Sequence, residues 1–290
     1  MERKKYAVIV AAGSGSRMNS KLPKQFIEIA GKPLLRHTVE KFLAMSSPVE
    51  IIVVLSDEYK EYWKSYCRRS GFLPRYTLPT GGFTRFHSVK NALEYVPDGA
   101  LVAVHDGVRP FVTPEFLESL FEEADKCGAV APVVPLVESI RELTPDGTVP
   151  ADRSRFVSVQ TPQVFHSEIL RKAYAQSYDT SFTDDLTVVQ KAGFPVKTVE
   201  GLRYNIKVTT PDDLRLAERY FNGVGPRVLW GRSSGMAGTY PANRLRRHFP
   251  WCRSRTSHRT YPKVCRDLSQ NMARPIPKGR LCHATSLEEW

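Results

Sequence analysis

The chain has 290 residues, 41% of them hydrophobic, with 42 Lys plus Arg against 30 Asp plus Glu, a formal net charge of +12. That length allows one large domain or two ordinary ones, the composition is globular, and no apolar run reaches the roughly 18–20 residues of a membrane span. Residues 224–290 hold 13 Lys/Arg and three acids, a net of +10, which leaves residues 1–223 with 29 basic and 27 acidic residues, a net of +2. A polyanion-binding role for the body is therefore not supported by charge.

In chain order, Met1–Lys5 followed by the apolar Tyr6–Ala12 has the outline of a signal peptide, but a Gly/Ser turn and charged residues follow at once. A buried first strand explains the run better. Ala7–Ala11, Ile51–Leu55, Leu101–His105 and Ala129–Val134 read as buried strands. Pro33–Ala44, Glu58–Arg68, Arg85–Tyr95 and Pro114–Lys126 read as the helices between them, with Pro33 and Pro114 in first turns and Thr113 as an N-cap. Strands alternating with single helices predict an α/β fold, a Rossmann-like, mostly parallel sheet with helices on both faces.

From 136 to 159 the rhythm breaks. Glu138–Leu143, the turn Pro145-Asp146-Gly147 and Phe156–Val159 read as an inserted β-hairpin, which cannot bury both faces alone and is expected to pack on a second subunit. A helix near Ser167–Gln176, another after Phe182, a strand at Val196–Val199, the segment Asn205–Val208 and a closing helix at Pro211–Phe221 follow. After Asn222-Gly223 the periodicity ends, so the chain divides into a body, 1–223, and a basic extension, 224–290. Arg-rich and acid-poor, with six prolines, the extension reads as disordered. A nucleic-acid-binding arm and a shifted reading frame are the other readings. Cys67 and Cys127, far apart in the body, argue for a reducing compartment and a cytoplasmic location.

Chemistry concentrates at strand ends. The first strand runs into Ala11-Ala12-Gly13-Ser14-Gly15-Ser16-Arg17, where bare backbone N–H groups suit phosphate, and the cations Arg17, Lys21 and Lys24 follow. Met18 stands where the dinucleotide fingerprint needs glycine, and a Walker A lysine is missing. A triphosphate attacked at its α-phosphorus would need such cations, although a surface loop with solvated charges fits the same residues. Thr80-Gly81-Gly82-Phe83-Thr84-Arg85-Phe86-His87-Ser88 supplies a second glycine turn, either a wall for a base or ribose or a plain loop with Ser88 turned inward. His105-Asp106-Gly107-Val108-Arg109 ends the third of these strands; Asp106 could meet a metal or a hydroxyl, or pair locally with Arg109. Lys207 lies in Asn205-Ile206-Lys207-Val208-Thr209.

Ala-Ala-Gly-x-Gly-x-Arg-Met with Pro-Lys-Gln-Phe, Gly-Gly-x-x-Arg-x-x-Ser-Val, Val-His-Asp with Arg-Pro, Thr-Pro-Gln-x-Phe, Thr-Asp-Asp and Asn-Ile-Lys-Val-Thr occur in order between Tyr6 and Phe221. Together they resemble the 2-C-methyl-D-erythritol 4-phosphate cytidylyltransferase family of the non-mevalonate isoprenoid pathway. The resemblance implies a nucleotidyltransferase (nucleotide-diphospho-sugar transferase-like) fold and attack of the polyol phosphate on the α-phosphorus of CTP, with Mg²⁺ held mainly by the CTP phosphates and no side-chain metal ligands. It implies Arg17 and Lys24 as catalytic cations. Arg153, Lys207, Asp106, Arg109, Ser139, Thr161 and Thr183 would position the methylerythritol phosphate, and Ala11, Ala12, Gly13, Gly15, Gly82, Arg85 and Ser88 would surround CTP. It also implies a homodimer whose arm brings Arg153 and Thr161 to the partner's site. Gly107-Val108 in place of Ala-Ala, Ser139 in place of Thr, Val137 in place of a cation and Gln190 in place of Glu depart from the family pattern, which leaves ribitol 5-phosphate as an alternative alcohol phosphate. Some relatives carry a fused cyclase; residues 224–290 are too few for one and lack its Asp-x-His pattern. The different-class alternative is nucleic-acid binding through that extension.

Overall fold

The computed structural model describes residues 3–13 and 22–223. The proposed readings of the extension, and Gly15 and Arg17, lie outside the described residues. The strands are β1 (Lys5–Val10), β2 (Glu28–Ile29), β3 (Lys32–Pro33), β4 (Val49–Val54), β5 (Leu101–Asp106), β6 (Ala129–Pro135), β7 (Arg141–Thr144), β8 (Gly147–Pro150), β9 (Val157–Val159), β10 (Gln163–His166) and β11 (Lys197–Glu200). The α-helices are α1 (Leu34–Leu43), α2 (Asp57–Arg69), α3 (Arg85–Leu93), α4 (Pro114–Cys127), α5 (Ser167–Tyr174), α6 (Asp185–Lys191) and α7 (Pro211–Phe221).

The main sheet has the order β11-β6-β10-β5-β1-β4, with β9 paired to β6. β1 lies parallel to β4 and β5, and β11 parallel to β6. Period-two alternation sorts the side chains of each buried strand into two layers. Ala7 and Ile9, Ile51 and Val53, and Leu101 and Ala103 face one core with α1, α2 and α4. Val8, Ile52 and Val54, and Val102 and Val104 face the other with α3, α5 and α6. Helices on both faces of a mostly parallel sheet are the architecture the sequence predicts.

Helix ends follow their local chemistry. Thr113 accepts the Phe116 N–H at the start of α4, and Gly128, at φ 83°, closes that helix in the left-handed region that a Cβ would disfavour. At α7, Thr210 and Asp213 form a reciprocal capping box ahead of Pro211. Pro33 falls in β3 and caps α1 instead of entering its first turn.

One expectation needs correction. The arm hairpin pairs β7 with β8, not with Phe156–Val159, because the turn at Gly147 returns the chain at once. Phe156–Val159 supplies β9, which lies antiparallel along Val133–Pro135 of β6. The segment Asn205–Val208 is anchored by the Val208 N–H to the Val108 carbonyl at 3.0 Å. The sequence also gave no sign of β10, four residues inserted antiparallel between β5 and β6.

At the amino end of the sheet Glu118 of α4 accepts the Ser47 N–H (2.8 Å), the Ser47 hydroxyl (2.6 Å) and the Ser46 hydroxyl (2.9 Å), and pairs with Lys5 at 3.3 Å. Burial opposes its ionisation, but these donors prevail and hold its carboxyl at about 2. Its stabilising effect is therefore present above the unfolded value and lost as pH falls from about 5 towards 2. Glu118→Gln is expected to lower unfolding free energy at pH 7 by about 2 kcal/mol. It should also flatten the pH dependence between 5 and 2. Urea titrations at pH 7 and pH 3 measure both, and equal losses at the two pH values would refute the assignment.

Candidate active site

In the shared register Val10 stands opposite both Val54 and Asp106, so the carboxyl ends of β4, β1 and β5 form one level rim. Three connections leave that rim. The Ala11 N–H bonds Val54 O, the Gly107 N–H bonds Val10 O, and the Gly81 N–H bonds Leu55 O. They enclose a cavity of about 440 Å³ lined by Ala11, Ala12, Gly13, Lys24, Gly82, Phe83, Arg85, Ser88, Asp106 and Lys207, among others. Openings beyond the carboxyl ends of parallel strands are the usual ligand positions of such sheets.

Gln25 shapes the first loop. Its buried side-chain amide donates to Ala11 O at 2.7 Å and Gly13 O at 3.1 Å, while Phe26 packs against Tyr59, Tyr62 and Trp63. Lys24 is thus carried next to two anchored residues. The second loop is closed by glycine: a Cβ on Gly81 would stand 2.3 Å from Ala12 Cβ, and one on Gly82 2.3 Å from His87 Cβ. The Ser88 hydroxyl accepts the Gly82 N–H and donates to Thr84 O, so both its capacities are used within the loop.

The charged centre is Asp106. One carboxylate oxygen meets Arg85 Nε at 3.4 Å; the other meets Arg109 Nε at 3.1 Å and Lys207 Nζ at 3.0 Å. Burial acts to raise its pKa, yet Arg85, Lys207 and Arg109 overcome it and hold the carboxyl far below its ordinary range. Arg85 is itself gripped by the fully buried Asp185, Nη1 to Oδ1 at 2.8 Å and Nη2 to Oδ2 at 2.7 Å, and Tyr174 donates to Asp185 Oδ1 at 2.5 Å. Behind Asp106, His105 Nε2 lies 3.0 Å from Arg109 O, which can only accept, so Nε2 carries the proton. Nδ1 then accepts the Thr161 hydroxyl at 2.9 Å, and Thr161 Oγ1 accepts the Asp106 N–H at 3.1 Å. Burial lowers the His105 pKa to about 4, against the pull of the Arg109 carbonyl, and the ring is neutral at ordinary pH.

Of the residues singled out in the sequence, Ala11, Ala12, Gly13, Lys24, Gly82, Arg85, Ser88, Asp106 and Lys207 share the main cavity. Arg109, Thr161 and Thr183 line an adjoining cleft of about 130 Å³ that includes Arg85, Asp106 and Lys207. Thr161, expected to reach the partner's site, stands instead in its own protomer's site, because its hydroxyl is tied to His105 and to the Asp106 N–H. Ser139 and Arg153 stand apart, in a hollow of the arm with Arg141 and Asp152. Asp152 caps the turn that carries Arg153, whose guanidinium bonds the Val137 carbonyl. Gln25, His105, Asp185 and Tyr174 do their positioning unannounced; the first three lie inside or beside the recognisable motifs, but their partners are long-range. Among the described residues no three His, Cys, Asp or Glu side chains converge as a metal site. The arrangement can bind and neutralise anions, and its serine is committed to loop structure.

A family model described as 2-C-methyl-D-erythritol 4-phosphate cytidylyltransferase (IspD) matches residues 6–223. The protein of that name from Porphyromonas gingivalis W83 is 49% identical over 219 residues, covering 75% of this chain and 98% of its own length. That from Bacteroides thetaiotaomicron is 48% identical over 213 residues, covering 73% and 97%. A solved 4-diphosphocytidyl-2C-methyl-D-erythritol synthase from Anaerococcus prevotii matches with a TM-score of 0.65 at 27% identity, covering 76% of this chain and 96% of that one.

Asp185 tests the site geometry independently of kinship. Asp185→Asn removes the buried bidentate partner of the Arg85 guanidinium, leaving only the longer contact with Asp106, and is expected to cost about 3–5 kcal/mol of unfolding free energy. A loss under about 1 kcal/mol in urea unfolding would mean that Arg85 does not depend on this pair.

Proposed function

The chain belongs to the 2-C-methyl-D-erythritol 4-phosphate cytidylyltransferase family, and from that premise we propose how its own residues carry the reaction. The protein transfers CMP from CTP to 2-C-methyl-D-erythritol 4-phosphate, giving 4-diphosphocytidyl-2-C-methyl-D-erythritol and pyrophosphate. The observation that carries this is a continuous family match over residues 6–223, nine of whose predicted site residues line one cavity at the carboxyl ends of β1, β4 and β5.

A phosphate oxygen of the methylerythritol phosphate attacks the α-phosphorus of CTP. A new P–O bond forms, the bond to the bridging α–β oxygen breaks, and pyrophosphate leaves with that oxygen. No protein nucleophile is needed, so the work is positioning and charge stabilisation. In this reading Lys24 and Arg17 stabilise the negative charge of the pentavalent phosphorus. Ala11, Ala12, Gly13, Gly82, Arg85 and Ser88 form the walls around CTP, and the family pattern gives Gly15 the same role. Lys207 and Arg109, aligned by Asp106, meet the methylerythritol phosphate with Thr161 and Thr183. Arg85 contributes mainly through Asp106 and Asp185, since its guanidinium is engaged by both.

Mg²⁺ enters on the triphosphate as part of the substrate. Asp106, the carboxylate lining the cavity, has both oxygens engaged by Arg85, Arg109 and Lys207. The metal supplies charge neutralisation of the phosphates.

The active assembly is a homodimer built on the arm. A two-stranded hairpin is marginal alone, and Leu143 is 83% exposed on it, with Val137, Val149, Phe156 and Val157 exposed nearby. Arg153 and Ser139 occupy this arm and act on the partner's substrate. The catalytic domain is residues 1–223, and its location is cytoplasmic, a reading supported by the separate thiols of Cys67 and Cys127. No helix among the described residues is long and apolar enough to cross a membrane.

Pyrophosphate release assayed with CTP over methylerythritol phosphate and ribitol 5-phosphate tests the substrate assignment; preference for ribitol phosphate would overturn it. Lys24→Ala and Arg17→Ala should each lower kcat by about 100-fold or more while raising the KM for CTP far less. A change in KM alone would remove both from catalysis. Arg153→Ala should mainly raise the KM for the sugar phosphate. Mixed after refolding and assayed at sugar-phosphate concentrations far below the KM of Arg153→Ala, Lys24→Ala and Arg153→Ala protomers should regain about a quarter of the wild-type activity, since random pairing gives half the dimers one intact site. No recovery would place Arg153 in its own protomer's site.

A further inference from the structure

Among the described residues two buried side-chain polar atoms lack a hydrogen-bond partner, Trp63 Nε1 and Asn205 Oδ1. The indole is packed among Phe26, Tyr66 and Phe72, away from the site. Asn205 lies two residues before Lys207, is fully buried, and donates its side-chain amide to the Thr161 carbonyl at 2.9 Å. A carbonyl can only accept, so Nδ2 faces it and Oδ1 is the atom without a donor. A buried acceptor left unmade is costly, and an apolar side chain of similar size would avoid that cost. The amide is retained for what its donor does.

It joins two segments that carry the alcohol-phosphate side of the site. Gln160, also buried, is rooted to β6 by its N–H on the Pro132 carbonyl at 2.8 Å. Its side-chain amide donates to Leu202 O at 2.8 Å and accepts the Leu202 N–H at 3.1 Å. The Asn205 N–H bonds the same Leu202 O at 2.9 Å. Gly201 makes room for this arrangement, since a Cβ there would stand 2.6 Å from Gln160 Oε1. Each segment thus lends one amide side chain to the other's backbone, a reciprocal clasp between residues 160–161 and 202–205. Arg109 closes it from a third direction by donating Nη1 to Asn205 O at 2.9 Å. Thr161, Arg109 and Lys207 line one cleft, whereas Gln160 and Asn205 stand behind it.

We infer that Asn205 is a positioning residue for the alcohol phosphate: with Gln160 it sets the spacing of Thr161, Arg109 and Lys207 in that cleft. This rests on the reading of the cleft as the place of the methylerythritol phosphate. The glycine loops after β1 and β4 lie outside the clasp, so its effect falls on one substrate and spares CTP.

The experiment uses the full chain. Asn205→Leu keeps the side-chain volume and removes the amide. It is expected to raise the KM for methylerythritol phosphate about tenfold, to lower kcat by a smaller factor, and to leave the KM for CTP within twofold of wild type. Gln160→Met opens the clasp from its other half and should shift the same constant in the same direction; it carries the test if Asn205→Leu does not fold. Glu118→Gln, destabilised at the amino end of the sheet, should keep both KM values, which separates positioning from loss of stability. A KM for methylerythritol phosphate within twofold of wild type in the folded variant, equal rises in both KM values, or the same rise in Glu118→Gln would overturn the inference. Failure of both clasp variants to fold would reduce the clasp to a folding element and overturn it as well. If the wild-type chain releases no pyrophosphate with methylerythritol phosphate, it is the reading of the cleft that fails.

Discussion

The site depends on one buried carboxylate shared by three cations. Asp106 ends β5 and gathers Arg85, Arg109 and Lys207, which come from α3, the turn after β5 and the segment before α7. Desolvating so many charges is tolerable only because each has a partner: Arg85 has Asp185, Arg109 also donates to Asn205 O, and Asp185 has Tyr174. This network makes distant parts of the chain converge on one level of the sheet, and it fixes the cations before an anion arrives. Preorganised charge of this kind is what a transfer between two phosphorylated reactants requires.

The polar network is coupled to the packing beneath it. Val108 and Val208, each beside a site residue in the chain, pack with Ile29, Leu34, Phe111 and Ala217 into a third cluster, against which Ile206, Tyr220 and Phe221 also rest. Phe221 packs against His37 with ring centroids 4.0 Å apart and the rings tilted by 31°, and His37 Nε2 lies 2.7 Å from Ile29 O. The closing helix thus ties the Lys207 segment to the start of α1 and to the small β2–β3 ribbon that follows Lys24. Lys24 and Lys207, which stand 183 positions apart in the sequence, owe their common cavity to this apolar cluster.

The sequence reveals the parallel sheet and its helices because their signals are local: apolar runs for doubly covered strands, and Thr-Pro or capping residues for helix starts. It does not reveal β10, whose four residues give no period and whose antiparallel place is set by neighbours on both sides. The arm was legible as an insertion, but its pairing was assigned wrongly, since Gly147 allows an immediate return that Phe156–Val159 only seemed to complete. Most motif residues gather at one rim, whereas Ser139 and Arg153 stay in the arm. Asp106 and Arg109 do form the local ion pair that their spacing allows, and Lys207 and Arg85 join them from afar. Gln25, Asp185 and Tyr174 had no readable role, because a buried polar side chain is explained by the partner it meets and that partner is far away in sequence.

The register of β5 has a consequence for fidelity. Successive side chains alternate, so His105 turns to the layer of α1, where it meets Phe42, and Asp106 turns to α3 and Arg85. Leu101 and Ala103 share the first side, Val102 and Val104 the second. A slip of one residue would exchange the two layers of apolar side chains and, in the same movement, present a neutral imidazole where the carboxylate belongs. The hydrophobic cores thereby act as the proofreading device of the active site: a chain cannot bury its valines correctly and still set its charges in the wrong place.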